Sequence, residues 1–247
     1  MKAIILAAGL GSRLRPYTDN CPKTLVKLAG KPLLEHQLAV LGHAGINDIV
    51  LVTGYLSQQF DRYGFTQYFN PDYASSNMLF SLMCARGYFD GQRDVLICYG
   101  DIVYNDRVLQ TVLRQQGDVV VAADLDWQQL WQLRMEDPLT DAESFQLAAD
   151  GRRVLQLGQK MTSLSQAEAQ YIGLVKCSAA VHERLLAQYD ALPPARQRQM
   201  YMTDFLQLLI HAGIEVNAAL HQGGWLEVDS TADLLVYHQY MEQLLQK

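Results

Sequence analysis

The feature that most restricts the fold is an alternation of short apolar runs with helical patterns in the first half of the chain. This alternation is typical of parallel β-strands joined by crossover helices, so it predicts an α/β protein. The predicted strands are Lys2 to Leu6, Asp48 to Thr53, Asp94 to Tyr99 and Val119 to Ala123. Between them, apolar side chains at helical spacing predict amphipathic helices, with one face formed by Leu34, Leu38 and Leu41 and another by Leu79, Leu82 and Met83.

The pattern changes after about residue 125, where the chain takes on an α+β character. Two alternating segments flank Asp150 and Gly151 and predict a β-hairpin within residues 144–160. The elements predicted after the hairpin are a strand, Tyr171 to Cys177, and helices around Val181 to Leu192, from Thr203 to His211 and after Ser230.

Composition excludes several classes of function. Lys and Arg total 20 against 26 for Asp and Glu, a net charge of -6, which argues against a protein held on nucleic acid by phosphate contacts. The four cysteines form no CxxC pair, so we expect a reduced, cytoplasmic protein. No run reaches about 18 consecutive apolar residues, the length of a membrane-spanning helix, so no membrane span is expected. The sequence leaves open whether the protein is a homo-oligomer.

The segment from Leu6 to His36, LAAGLGSRLRPYTDNCPKTLVKLAGKPLLEH, contains the residues most indicative of ligand binding. It places two glycines and two basic side chains directly after a predicted strand, where α/β sheets bind ligands. Gly9 and Gly11 let the backbone approach a phosphate, while Arg13 and Lys23 supply positive charge. We therefore expect a polyphosphate ligand. Two common phosphate motifs are excluded, because a dinucleotide fingerprint needs glycine where Leu14 stands and the chain has no GxxxxGK[ST] loop.

The long pattern LAAGxGxRLxPxTxxxPKxLxxxxGKPLLE resembles the signature of the nucleotidyltransferases that make nucleoside-diphosphate sugars and alcohols. The resemblance implies a GT-A-like, Rossmann-type three-layer sandwich, with a mixed, mostly parallel central sheet and a small acceptor-binding insertion. It also implies a single domain over residues 1–247. Residues 1–124 would mainly bind the nucleotide, and residues 125–247 would mainly bind the acceptor. The residues that would bind the nucleoside triphosphate are Leu6, Ala7, Ala8, Gly9, Gly11, Ser12, Arg13 and Lys23.

Three further segments resemble the catalytic parts of that family. Asp101 in YGDIVY and Asp229 in GGWLEVDSTADL match its two magnesium-binding aspartates, although for either one alone a turn or helix cap is the more common explanation. Magnesium is a hard cation that takes few protein ligands when it also binds phosphates, so it is the implied cofactor. Lys160 in LGQK matches the lysine that grips the acceptor phosphate, so Arg13, Lys23 and Lys160 are the expected catalytic residues.

The segment NPDYASSNMLFSL resembles the base-recognition region of cytidylyltransferases. Cytosine offers an amino donor and a carbonyl acceptor, which Ser75, Ser76 and Asn77 could read. Helix capping by Ser75 explains the same residues equally well.

An acceptor site is predicted from DWQQLWQLRMEDPLTDAE, where tryptophans alternate with acidic residues, because aromatic faces with carboxylates suit an organic cation. The expected acceptor residues are Trp127, Trp131, Glu136, Asp137, Tyr171 and Trp225, and Asp126, Asp141 and Glu143 belong to the same pattern. Core packing of tryptophans four residues apart is the competing interpretation.

Together these segments most resemble the phosphocholine and phosphoglutamine cytidylyltransferase branch. This resemblance implies magnesium-dependent transfer of CMP from CTP to a small phosphorylated or phosphonate amino compound, with release of pyrophosphate, in capsule or cell-surface biosynthesis. Three alternatives remain: a sugar-1-phosphate nucleotidyltransferase using UTP or dTTP, a non-catalytic nucleotide-binding regulatory module, and a glycosyltransferase whose DxD motif would be Asp124, Leu125 and Asp126.

Overall fold

The apolar run at the start of the chain forms a fully buried strand in the computed structural model, which describes residues 1–237. The strands are β1 (Lys2–Ala7), β2 (Lys27–Leu28), β3 (Lys31–Pro32), β4 (Ile49–Thr53), β5 (Thr66–Phe69), β6 (Val95–Tyr99), β7 (Ile102–Tyr104), β8 (Val119–Asp124), β9 (Glu143–Leu147), β10 (Val154–Lys160), β11 (Gln170–Cys177), β12 (Val216–His221) and β13 (Trp225–Glu227). The predicted strands of the first half therefore agree with the structure to within one or two residues.

The α-helices are α1 (Leu33–His43), α2 (Met78–Cys84), α3 (Asp106–Arg114), α4 (Trp127–Arg134), α5 (His182–Asp190), α6 (Pro194–Gln199) and α7 (Met202–His211). Short 3-10 helices occur at Ser12–Leu14, Lys23–Leu25, Ser57–Tyr63, Arg86–Tyr88, Pro138–Thr140, Leu164–Gln166 and Ala179–Val181. Residues 231–237 begin the helix predicted after Ser230, and its remainder lies outside the described residues. None of the helices in residues 1–237 has the length and apolar character needed to cross a membrane.

Seven strands form the central sheet, in the order β12-β8-β11-β6-β1-β4-β5. Every neighbouring pair is parallel except those of β11, which runs antiparallel to both β6 and β8. This mixed, mostly parallel sheet confirms the predicted α/β class. The predicted hairpin is also confirmed: β9 and β10 pair antiparallel, and Gly151 in the turn has a φ of 68°.

One edge of the sheet collects the residues on which function depends. The parallel strands β1, β6 and β8 end there at Ala7, Tyr99 and Asp124, so the loops that follow them are neighbours. Because β11 is antiparallel, it begins at the same edge, where Gln170 is the register partner of Asp124. The glycine-rich loop, Asp101 and the start of β11 are thereby brought together.

Gly100 joins β6 to Asp101 in a space that allows no larger residue. A Cβ at this position would collide with the carbonyl oxygen of Leu6 and the hydroxyl of Thr24. The side chain of Asp101 thus projects from a segment that packs directly on β1 and on the loop beyond it.

We expect Gly100→Ala to lower the free energy of unfolding by about 1–3 kcal/mol, the usual cost of overpacking, and the Tm by roughly 5 °C. Thermal unfolding followed by circular dichroism measures this. Gly87→Ala is the matched control, because a Cβ there has nothing within 4 Å and should change stability by less than about 0.5 kcal/mol. Equal Tm values for the two variants would contradict the close packing at Gly100.

Candidate active site

Three adjoining cavities form one cleft at the carboxyl edge of the sheet. The loop cavity, of about 210 Å³, is lined by Gly9, Gly11, Ser12, Arg13, Lys23, Asp101 and Asp229. The serine cavity, of about 250 Å³, is lined by Leu6, Ala8, Gly9, Tyr73, Ser76, Asn77, Met78, Ser81 and Tyr201. The aromatic cavity, of about 280 Å³, is lined by Arg13, Met78, Tyr99, Trp131, Asp141, Glu143, Gln170, Tyr171, Ile172, Gly173, Tyr201, Met202, Thr203, Trp225, Glu227 and Asp229.

The glycine-rich loop packs closely against the side chain of Lys23. Gly11 has a φ of 61°, and a Cβ there would lie 2.9 Å from the Cβ of Lys23 and 3.0 Å from the Cγ2 of Thr18. The hydroxyl of Thr18 donates to the carbonyl of Gly11 at 2.8 Å and holds this conformation. Glycine is therefore needed at position 11 for both its backbone angles and its small size.

Lys23 connects two aspartates that are far apart in sequence. Its ammonium donates to Asp101 Oδ2 at 2.7 Å and also to Asp229 Oδ1. Arg13, whose side chain is 67% exposed, reaches the other oxygen of Asp229 at 2.9 Å. Two predicted phosphate-binding residues and two predicted metal ligands thus meet in one ion-pair cluster.

The pKa values in this cluster reflect burial and mutual charge. Burial alone would lower the pKa of Lys23, but the carboxylates of Asp101, Asp229 and Glu227 raise it above its usual value. Burial would raise the pKa of Asp229, and the charges of Lys23 and Arg13 lower it. Lys23 and Asp229 are therefore both ionised at neutral pH.

Glu227 adds a third carboxylate beside the two aspartates. One oxygen from each of Asp101, Glu227 and Asp229 lies within 4.8 Å of the others. Burial and the charge of Asp229 raise the pKa of Glu227 to about 8, although Arg134 opposes the shift. In the described part of the chain, Oδ1 of Asp101 is buried without a hydrogen-bond partner. This set of oxygen ligands fits the magnesium ion implied by the resemblance.

Arg134 in α4 forms buried ion pairs with carboxylates of this cluster. Its side chain is 2% exposed, and it bonds to Glu227 at 2.8 Å and to Asp233 at 3.0 Å. Its guanidinium lies 3.9 Å from Asp229 and 5.4 Å from the centre of the Trp131 ring. One buried cation thus touches both the acidic cluster and the wall of the aromatic cavity.

Two of the three residues predicted to read the base line the serine cavity. Ser76 donates to the carbonyl of Asp72 at 2.9 Å and accepts from Asn70 at 3.0 Å. Asn77 is the N-terminal cap residue of α2, but its side chain makes no capping bond. Ser75 lies outside the lining, and its hydroxyl faces Asp72.

The aromatic cavity contains three of the six predicted acceptor residues, Trp131, Tyr171 and Trp225. The rings of Trp131 and Trp225 are 6.0 Å apart, and the indole of Trp131 donates to Asp141 at 3.1 Å. Burial raises the pKa of Glu143, which also lines this cavity. Aromatic faces and carboxylates therefore do meet, in the combination expected for a cation site.

The other predicted acceptor residues lie elsewhere. Trp127 is 1% exposed and packs in the core edge to face against Trp131. Glu136 and Asp137 are exposed and absent from the lining, and Asp137 caps the 3-10 helix that follows it. That short helix turns the chain, so Asp141 and Glu143 enter the cavity in their place.

Two further predicted residues do not line the cleft. Ala7 is the buried last residue of β1. Lys160, the exposed last residue of β10, is the register partner of Glu143 but is not part of the cavity lining.

Asp124, the first residue of the DxD triplet, does not have the environment of a metal ligand. It is 1% exposed, and both of its oxygens accept hydrogen bonds from nitrogen donors within the chain. The structure thus gives the glycosyltransferase alternative no support.

One cleft residue that was not predicted, Glu227, has a signal in the sequence. Trp225, Glu227 and Asp229 alternate along an extended segment, so they share one face, and this spacing points to Glu227. Tyr201 and Arg134 carry no such local signal, because their surroundings come from distant segments.

Comparison with known proteins finds cytidylyltransferases that are similar to this chain. A cytidylyltransferase of Campylobacter jejuni, named CTP:phosphoglutamine cytidylyltransferase, is 34% identical over 96% of this chain and 98% of its own length. The choline-phosphate cytidylyltransferase of Streptococcus pneumoniae is 55% identical over 86 residues, which are 33% of this chain and 38% of that protein. A solved structure of the CTP:phosphocholine cytidylyltransferase from S. pneumoniae superposes with a TM-score of 0.75 at 25% identity, covering 97% and 98% of the two chains.

The family to which these features belong is identified by a match over most of the chain. Residues 3–197 match the MobA-like NTP transferase domain, a range that contains the glycine-rich loop, Lys23 and Asp101. The chain is therefore a nucleotidyltransferase and belongs to the MobA-like NTP transferase family.

Proposed function

We propose that this nucleotidyltransferase transfers CMP from CTP to a small phosphorylated acceptor that carries a cationic amino group, and releases pyrophosphate. The observation that carries the proposal is the aromatic, acidic cavity, which shares Arg13 and Asp229 with the loop cavity. An amino group bound there would place its own phosphate toward the glycine-rich loop. The relatives named for CTP and for phosphoglutamine or phosphocholine support the same class of reaction.

The serine cavity would hold the cytosine. The Ser76 hydroxyl already donates to Asp72, so Asn77 and nearby backbone groups would supply the donors, and Tyr73 and Tyr201 line the same space. The triphosphate would then extend over Gly9 and Gly11 toward Arg13. The reaction would take place in the cytoplasm, where the four free cysteines of the chain would remain reduced.

The proposed reaction is a direct displacement at the α-phosphorus of CTP. An acceptor phosphate oxygen forms the new P–O bond as the bond to pyrophosphate breaks, and no covalent enzyme intermediate is needed. Because that oxygen is already ionised at neutral pH, the site needs no general base. Arg13 and Lys23 would neutralise the phosphates, and Asp101 and Asp229 would hold magnesium, which supplies further charge stabilisation when bound.

The charges of the aromatic cavity favour a choline-type acceptor over one that also carries a carboxylate. Among the described residues of its lining, Arg13 is the one cation, whereas Asp141, Glu143 and Asp229 are acidic. A carboxylate would have to lie beside these groups, which would disfavour it. Phosphoglutamine is the second candidate, because the relative of that name matches nearly the whole chain.

The function is tested by pyrophosphate release with CTP, UTP, dTTP, ATP or GTP against phosphocholine, phosphoglutamine, aminoethylphosphonate or glucose-1-phosphate. We expect release with CTP and an amino-bearing acceptor, fastest with phosphocholine. Asp101→Asn should lower the rate by about two orders of magnitude or more, because charge stabilisation of the phosphates is lost. Asp61→Asn, at an exposed site outside the three cavities, is the control. Release with UTP or dTTP and glucose-1-phosphate would overturn both substrate assignments.

Glu143→Gln tests whether charge recognises the acceptor. The variant keeps the shape of the side chain, so we expect the KM for the acceptor to rise about tenfold with little change in the KM for CTP. Burial raises the pKa of Glu143, so acceptor affinity in the unmodified enzyme should fall as the pH drops through that pKa. The variant should lack this part of the profile.

Glu136→Gln is the matched control for that experiment, because Glu136 is exposed and outside the cavity. An unchanged acceptor KM in Glu143→Gln would contradict a cationic acceptor at this position.

Lys23 donates to both of the aspartates that would hold magnesium, so its ammonium would compete with a bound cation for the same carboxylates. We propose that the ammonium of Lys23 leaves these carboxylates and pairs with the triphosphate when the nucleotide and metal bind. Lys23→Gln should therefore bind Mn²⁺ about tenfold more tightly than the unmodified protein in the absence of nucleotide, since a competing cation is removed.

The free Mn²⁺ signal in an electron paramagnetic resonance titration measures this affinity. Lys27→Gln, a change at an exposed lysine, should leave it unchanged. Weaker or equal Mn²⁺ binding by Lys23→Gln would show that Lys23 and the metal do not compete.

A further inference from the structure

Asp124 is a buried carboxylate for which the proposed reaction has no use. It is the last residue of β8 and is 1% exposed. Its Oδ1 accepts from the backbone nitrogens of Asp126 at 2.9 Å and Gly223 at 2.8 Å. Its Oδ2 accepts from the indole nitrogen of Trp225 at 2.9 Å. One side chain thus holds two loops and one aromatic ring.

The ring that it holds is a wall of the aromatic cavity. Trp225 is in β13, is 2% exposed, and packs against Trp131. An indole has one hydrogen-bond donor, so the bond to Asp124 fixes the rotation of the ring about its side-chain torsions.

The turn before Trp225 depends on the same carboxylate. Gly223 and Gly224 have φ values of 54° and 79°, and Gly224 packs so closely on Asn105 that a Cβ would lie 2.7 Å from its Nδ2. His221 Nδ1 donates to the carbonyl of Gly223 at 2.9 Å. The bond from Gly223 to Asp124 ties this turn to the end of β8.

These N–H groups donate to both side-chain oxygens of Asp124. His221 Nδ1 lies 4.0 Å from Oδ1, but it donates to Gly223. Burial lowers the pKa of His221, although the charge of Asp124 opposes the shift, so the imidazole is neutral at neutral pH. Both carboxylate oxygens are therefore committed to holding the loops and the ring.

We propose that Asp124 is a positioning residue that sets the orientation of Trp225 as a wall of the acceptor site and so determines the affinity for the acceptor. This inference rests on the proposed function for the identity of the acceptor. It does not make Asp124 a catalytic residue, since its carboxylate touches only residues of the chain.

Asp124→Asn is the direct test, because the amide keeps one accepting oxygen where the carboxylate has two. Either the indole or the backbone donors must lose a partner. With CTP and phosphocholine, we expect the acceptor KM to rise about tenfold, while kcat and the KM for CTP change by less than about twofold. Asp61→Asn is the control, because Asp61 is an exposed carboxylate outside the three cavities.

A double-mutant cycle with Trp225→Phe separates positioning from a general loss of structure. Phenylalanine has no N–H to donate, so Asp124→Asn should raise the acceptor KM by less than about twofold in that background. Multiplicative effects of the two substitutions would overturn the inference. An equal rise in both KM values together with a fall in kcat would indicate a merely structural role and would overturn it as well.

Near-UV circular dichroism tests the positioning without any substrate. The neighbouring indoles of Trp127, Trp131 and Trp225 should give a signal that Asp124→Asn changes and Asp61→Asn does not. An unchanged signal would overturn the inference whatever the acceptor proves to be. A changed signal with no turnover of any amino-bearing acceptor would instead refute the proposed function and leave the positioning role supported.

Discussion

The cleft depends on a balance of buried charge at the carboxyl edge of the sheet. Asp101, Glu227 and Asp229 lie close enough to repel one another, and Lys23, Arg13 and Arg134 offset that repulsion. A buried ion pair is favourable only when each charge is well matched, so removing one partner would leave another uncompensated. The balance also joins segments that are far apart in sequence, because Lys23 and Asp229 belong to opposite ends of the chain.

Sheet topology explains how the acceptor wall reaches this cluster. The antiparallel strand β11 lies between β6 and β8, so its first residues arrive where its neighbours end. Tyr171 is thereby placed against Tyr99, with ring centres 5.7 Å apart. Gly173 makes the contact possible: it has a φ of 83°, and a Cβ there would lie 2.9 Å from the Cβ of Tyr99 and collide with its ring.

The parts of this architecture that depend on local pattern were predictable from the sequence. The buried strands, the hairpin at Gly151 and the glycine-rich loop each follow from a few adjacent residues. The choice between Glu136 and Glu143 did not, because the turn at Pro138–Thr140 decides which carboxylate enters the cavity. Trp127 and Trp131 share a helical face, yet only Trp131 reaches the cavity, since Trp127 is covered by the core.

The buried ion pairs could not be predicted from the sequence for a related reason. In the sequence, Arg134 has the pattern of an ordinary basic residue in the last turn of α4. Its partners Glu227 and Asp233 lie more than 90 residues further along the chain. Nothing in its neighbours marks it as buried. Such residues are identified by tertiary contacts, which periodicity does not encode.

The shared lining of the three cavities has a consequence for the end of the catalytic cycle. Met78 and Tyr201 border both the serine and the aromatic cavities, so the two substrates of the proposed reaction would contact the same two side chains. A product that joins a nucleotide to the acceptor would span both cavities and keep most of the contacts that each substrate makes alone. Such a product would compete with both substrates, and the throughput of the enzyme in a cell would depend on how fast the next reaction consumes it.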